Sequence, residues 1–190
     1  MTNSAFVTDT NSTWEIDGSH SDVSFSVKHL MISKVRGHFG SFRGSIETGP
    51  TLEDLEVKAV LVAASITTND ENRDGHLRSA DFFDTANYPE ISFTSSKVEK
   101  ANKENEFLVH GELEIRGIKR PITLEVEFGG VATDGYGQTK SAVSATTVIN
   151  RTEFGLTWNS ALETGGVLVG ENINIVIDLQ ATLKQEDTIG

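Results

Sequence analysis

The chain of 190 residues carries 16 Lys and Arg against 28 Asp and Glu, a net charge of −12, and has no cysteine. The missing thiols exclude disulfides, thiol catalysis and thiolate metal sites, so the core has to hold the fold. The acidic excess repels phosphate backbones and anionic membrane surfaces, which argues against nucleic-acid binding and stable membrane insertion.

The length suits one domain, and a composition of 37% apolar and 23% charged residues with three prolines is that of a globular chain. The opening MTNSAFVTDTNST has neither a basic nor an apolar signal region, and the triplet Asn11-Ser12-Thr13 has no glycosylation role without secretion. The longest apolar run, Ala59 to Ala64 with Ile66 beyond, is far short of the ~18 residues that span a bilayer. A cytoplasmic protein is expected, with one domain over 13–184 and tails at 1–12 and 185–190.

In chain order, the short piece Trp14-Glu15-Ile16 precedes a clear alternation at Val23 to Lys28. Arg36 to Ile46, with glycines at 37, 40 and 44, reads as one strand that bends. Val57 to Ile66 reads as a buried strand. Thr68 to Asp84 is the one helical stretch, with a Thr or Asn cap and Leu77, Ala80 and Phe83 at helical spacing. Strands resume at Ile91, at Phe107 to Ile115, at Ile122 to Phe128 (the cleanest period of two), at Ala142 to Asn150 and at Ile173 to Gln180. Asp17-Gly18, Gly117 with Pro121, Asp134-Gly135 and Gly165-Gly166 supply the turns.

Eight or nine strands with one apolar face must bury it, in a sandwich or in a closed barrel; long sequential hairpins and bent strands favour closure. The charged face carries Glu112, Glu114, Glu125, Glu127, Asn174 and Asp178. The inward face mixes Phe25, Phe39, Phe93 and Phe128 with Val23, Val27, Gly37, Ala142 and Ser144, which fits an interlocked core or a tunnel. The fold class is therefore all-β, with the helix near a barrel mouth.

Local motifs give little chemistry. Asp70-x-Asn72-x-Asp74-Gly75 with Asp81 has calcium-loop spacing, but a strand precedes it where the motif needs a helix. His20, His29, His38, His76 and His110 show no short metal spacing, and no nucleophile elbow or phosphate loop is present. No catalytic residue, metal or cofactor is expected. Arg73, Arg78 and Arg151 have two readings: ordinary ion pairs with Asp74, Asp81 or Glu153, or a clamp for an anionic head group at the mouth, with Phe154 and Trp158 as rim aromatics.

Five blocks carry a wider likeness: WEIDGSHSDVSFSVKHLMISKVRGHFGSFRGSI, NDENRDGHLRSADFFDTANYPEISFTSSKV, GELEIRGIKRPITLEVEF, NRTEFGLTWN and VGENINIVIDLQATL. In this order, from Trp14 to Leu183, they resemble the YceI family. The resemblance implies a lipocalin-like, extended eight-stranded antiparallel barrel. It also implies a non-enzymatic carrier of a polyisoprenoid or similar amphiphilic lipid, such as a polyprenyl phosphate or quinone. With the alternation, it points to a lining of Phe25, Val27, Phe39, Phe93, Leu113, Ile115, Leu124, Val126, Phe128, Ile175 and Ile177. Polar mouth candidates are His29, Arg78, Asn150 and Arg151, with Trp158 beside them. The alternatives are a solid-cored, stress-related interaction module acting as a homodimer, and an isomerase or hydrolase inside the barrel.

Overall fold

The computed structural model describes residues 11–184; the rest of the expected tails, 1–10 and 185–190, lies outside the described residues. The strands are β1 (Ser12–Ile16), β2 (Asp22–His29), β3 (Ser33–Phe39), β4 (Phe42–Thr48), β5 (Glu56–Val62), β6 (Ile66–Thr67), β7 (Glu90–Lys100), β8 (Glu106–Ile115), β9 (Ile118–Thr133), β10 (Thr139–Asn150) and β11 (Val169–Leu183). The order β1-β4-β5-β7-β8-β9-β10-β11, with β1 paired back to β11, closes an antiparallel ring of eight. Closure gives every strand of this ring a partner on both sides.

Eleven strands make an eight-stave barrel because three staves are broken. The edge of β11 pairs with β2 over Val169–Asp178 and with β1 over Ala181–Leu183, so β1 and β2 are two halves of one stave. β3 and β4 divide the next one, and β5 and β6 the third. The single bent strand expected over Arg36 to Ile46 therefore breaks at Gly40-Ser41, and Val57 to Ile66 breaks at Ala63–Ser65. The two breaks secure each other: the Gly40 amide donates to the Ser65 carbonyl (3.1 Å) and the Ser41 amide to Ser65 Oγ (3.1 Å). The remaining staves run as hairpins; Arg116 and Gly117, at φ 52° and 71°, form the two-residue turn between β8 and β9.

The helix is shorter than the sequence pattern suggests. α1 spans Glu71–Arg78, with Asp70 as the cap, its side chain accepting from the Arg73 amide at 2.9 Å. At Ser79 the backbone leaves helical geometry at ψ 172°, and Leu77, Phe82 and Phe83 point inward from a helix and a following turn. Among the described residues no helix is long and apolar enough to cross a membrane.

The interior has two parts. Toward the start of β1 and the end of β9, Trp14, Ile46, Phe107, Val109, Val126, Phe128, Val143 and Ala181 are buried in a packed core, and Trp14 Nε1 donates to Thr48 Oγ1 (3.2 Å). Toward the α1 end the interior is hollow. Ala142 and Ser144, expected inside, face out; Ser141, Val143 and Ala145 face in, and Ser144 Oγ donates to Asp178 (2.7 Å). Small residues alternating with small residues give no polarity contrast, and the register shift between Ala142 and Val143 adds its extra residue, Gly129, on the neighbouring β9 and leaves the alternation of β10 unbroken.

Gly111 is required by packing. A Cβ there would lie 2.5 Å from both Phe93 Cζ and the Thr94 carbonyl oxygen, and the backbone oxygen cannot turn aside. Gly111→Ala is expected to cost about 1–3 kcal/mol in chemical unfolding.

Candidate functional site

The hollow end holds a cavity of about 210 Å³. Its wall comes from nearly every stave: Phe25 and Val27 from β2, Phe39 from β3, Phe93 from β7, Leu113 and Ile115 from β8, Leu124 from β9, and Ile175 and Ile177 from β11. Leu77, Phe82, Phe83 and Leu156 close it from above. The bore is hydrocarbon throughout, because the polar residues on its wall use their polar atoms elsewhere. Ser24 Oγ donates to the Val176 carbonyl (3.1 Å), and Thr147 Oγ1 donates to the Thr123 carbonyl (2.8 Å).

Arg151 does the same with a full charge. It is 3% exposed, and its guanidinium donates to the carbonyls of Gly170 (2.8 Å), Trp158 (2.9 Å), Val169 (3.3 Å) and Leu156. Burial pushes its pKa down, partly countered by the charge of Glu171. Arg151 is thus a buried clamp joining three segments of the cap, and not the mouth cation expected from the sequence.

Arg78 departs in the same way. Its Nε and Nη2 donate to the carbonyls of Ala64 (2.9 Å) and Ile66 (3.0 Å), tying α1 to β6. Arg73 donates to Thr68 through Oγ1 and the carbonyl. None of the three makes an ion pair within 4 Å among the described residues, because the loops that enclose the bore offer free carbonyls. Asp74, second acid of the calcium-like spacing, turns inward and accepts from Thr68 N (2.8 Å), Thr68 Oγ1 (2.6 Å) and Thr67 Oγ1 (3.0 Å).

Trp158 belongs to the cap. Its ring meets His76 edge-on at 4.6 Å and Phe82 at 5.5 Å, and His76 Nε2 lies 2.8 Å from Asp81. Arg116 braces the same region by donating to the carbonyls of Phe82 (3.0 Å) and Gly155 (3.3 Å). His29, at the end of β2, is half-buried at the rim and does not line the bore, and next to it Met31 and Ile32 are exposed.

Ten of the sixteen residues singled out from the sequence border the bore: nine apolar ones and Arg151. Val126 and Phe128 lie in the packed half. Asn150 borders a second space, a cleft on the outside of the barrel. Reasoning from sequence missed Ile91, Ile122, Ile173 and Leu179, which share the parity of Phe93, Leu124 and Ile175 and could have been found by extending the alternation. It also missed Phe82 and Phe83, whose irregular turn has no periodicity to read.

An antiparallel barrel closed on an apolar bore is a lipocalin-like architecture. The chain belongs to the YceI family: the YceI-like domain matches residues 14–181. UPF0312 proteins of Staphylococcus aureus are 36% (strain USA300) and 38% (strain N315) identical over 171 residues, 89% of this chain and 96% of theirs. Among solved structures, a Campylobacter jejuni YceI protein is 31% identical with a TM-score of 0.69, covering 83% of this chain and 90% of its own. BcnA of Burkholderia cenocepacia (24% identity, TM-score 0.74, 88% and 99% coverage) shares the fold. So does a polyisoprenoid binding domain from Saccharophagus degradans (16%, 0.68, 90% and 98%).

Two stability tests follow from the clamps. Arg151→Leu removes the guanidinium from four carbonyls, of which, among the described residues, only that of Val169 keeps another side-chain donor, Asn159 Nδ2, and is expected to destabilise by about 3 kcal/mol or more, with Arg151→Lys only partly restoring it, since one ammonium cannot reproduce the planar fork. For Asp74, burial pushes the carboxyl up, but the Thr68 hydroxyl, the Thr68 amide and the Thr67 hydroxyl outweigh it and hold the group below its ordinary 3.8. Its contribution is therefore complete above that value and disappears as pH falls through the lower folded pKa. Asp74→Ala should cost about 2 kcal/mol at neutral pH, with the gap to wild type narrowing below pH 3.8 in urea titrations.

Proposed function

We propose that the protein binds and carries a polyisoprenoid or similar long-chain amphiphilic lipid, its tail in the bore. The observation that carries this reading is the bore itself, a channel with every bordering polar atom engaged elsewhere. Such a space gives no purchase to a polar substrate or a reacting group, so it favours a binding protein over a catalyst. It suits a branched hydrocarbon, which gains roughly 0.8 kcal/mol per buried methylene, less the ordering of the tail. The neighbour described as a polyisoprenoid binding domain supports the same class of ligand.

The cavity, at about 210 Å³, is smaller than the ~300–1,000 Å³ usual for drug-sized ligands. A tail longer than a few isoprene units has to displace the cap side chains Leu77, Phe82 and Phe83. Chain-length discrimination is expected to be weak, because one methylene changes affinity only a few-fold.

Native mass spectrometry after gentle purification should show one prenyl lipid per chain, or uptake of added geranylgeraniol. Ala59→Trp, which fills the bore from β5, should cut that uptake by about tenfold while the circular dichroism of the barrel is kept. A wild-type protein that emerges lipid-free and takes up no prenyl alcohol would overturn the reading.

A further inference from the structure

The barrel wall has a seam. Ladder pairing between β9 and β10 stops at Thr146 and Glu125, although both strands continue toward the cap. The tight turn at Arg116-Gly117 makes Ile115 and Ile118 a hydrogen-bonded pair, and alternation then turns the backbone groups of residues 119, 121, 123 and 125 of β9 away from β8, toward β10. At 121 that group is proline, which has no N–H to give. At 123 the carbonyl is taken by the Thr147 hydroxyl (2.8 Å) rather than by a β10 amide.

An outer cleft of about 590 Å³ lies along this seam. Ile122, Thr147 and Ile149 line both the cleft and the apolar bore, so the two spaces share one partition. The cleft is polar. His110 lies between Thr123 Oγ1 (Nδ1, 2.8 Å) and Glu99 (Nε2, 2.9 Å), and Asn150 and Asn172 face each other as register partners on β10 and β11. The Asn150 side-chain oxygen caps the following turn, accepting from Thr152 N and Oγ1, which leaves its amide NH2 as a donor. No lysine or arginine lines the cleft, and Glu153 does.

We propose that this seam is a side portal of the bore, with the ligand's head group seated in the outer cleft between Asn150 and Asn172. The head group is an uncharged oxygen-bearing one, an alcohol or a quinone-type carbonyl. A phosphate would meet the Glu153 carboxylate with no cation to offset it, a repulsive element that selects against it. The cations expected to hold a phosphate, Arg78 and Arg151, are bound to backbone carbonyls on the cap side. The inference rests on the lipid-binding reading and adds where the polar end goes and what it is.

The test uses the full chain, geranylgeraniol and geranylgeranyl phosphate, and native mass spectrometry titrations. Wild type should bind the alcohol about tenfold or more tightly than the phosphate. Asn172→Lys places a cation on the exposed side of the cleft and should raise phosphate affinity about tenfold while changing alcohol affinity less than about twofold. Val148→Trp, at a residue 59% exposed in the cleft, should weaken both ligands without moving the unfolding midpoint. A wild-type preference for the phosphate, or ligand affinities unmoved by both substitutions, would overturn the portal while leaving the tail-binding reading standing. Failure of wild type to bind either prenyl compound would overturn that reading and the portal with it.

Discussion

The dryness of the bore depends on one buried cation. Arg151 directs its planar donors at four carbonyls from the segments that close the barrel, sharing that of Val169 with Asn159 Nδ2 (2.7 Å), and a buried carbonyl left without a donor is costly. A lysine could serve one or two of them, and an apolar side chain none. The guanidinium therefore lets irregular backbone lie over an apolar space, much as Arg78 and Arg116 do at the edges of the same cap. The guanidinium groups of Arg78, Arg116 and Arg151 are thus structural.

That division explains which parts of the molecule could be read from its residues. Strands such as Ile122 to Phe128 and Ile173 to Gln180 alternate large apolar side chains with charged ones, and a closed sheet can satisfy such a pattern in one register only. Phe93, Leu113 and Ile175 could be placed inside for that reason. Ala142 and Ser144 could not, since neither face of their strand carries a strong preference. Sequence also cannot show that the interior divides along its length. Val126 and Phe128 have the same parity as Leu124 but lie in the packed half, where buried Phe107 and Val143 stand opposite them on the neighbouring strands. The arginines were misassigned because an exposed carboxylate and a buried carbonyl are equally good partners on paper; only the path of the cap decides between them.

The two halves of the interior have different jobs. The packed half, anchored by Trp14 and Phe107, supplies the apolar burial that holds the cylinder together. This frees the other half to stay hollow at an acceptable loss of dispersion contacts. In the broken staves the halves β2, β3 and β6 lie on the hollow side, and α1 packs beside β6, tied to it through Arg78. Wall irregularity and hollowness therefore occur together: a perfectly laddered barrel would have fewer places for α1, the cap and the outer cleft to meet the bore.

The pairing of β1 with β11 has a consequence for how the protein is made. The first and last strands of the barrel are neighbours, with Trp14 opposite Leu183, so the cylinder cannot seal while the C-terminal segment is still inside the ribosome. Until then the chain exists as an open, curled sheet with its greasy face in water, and contacts this distant in sequence form slowly. The heavy acidic surplus acts over that interval as a colloidal safeguard, keeping incomplete copies apart before each can bury its own interior.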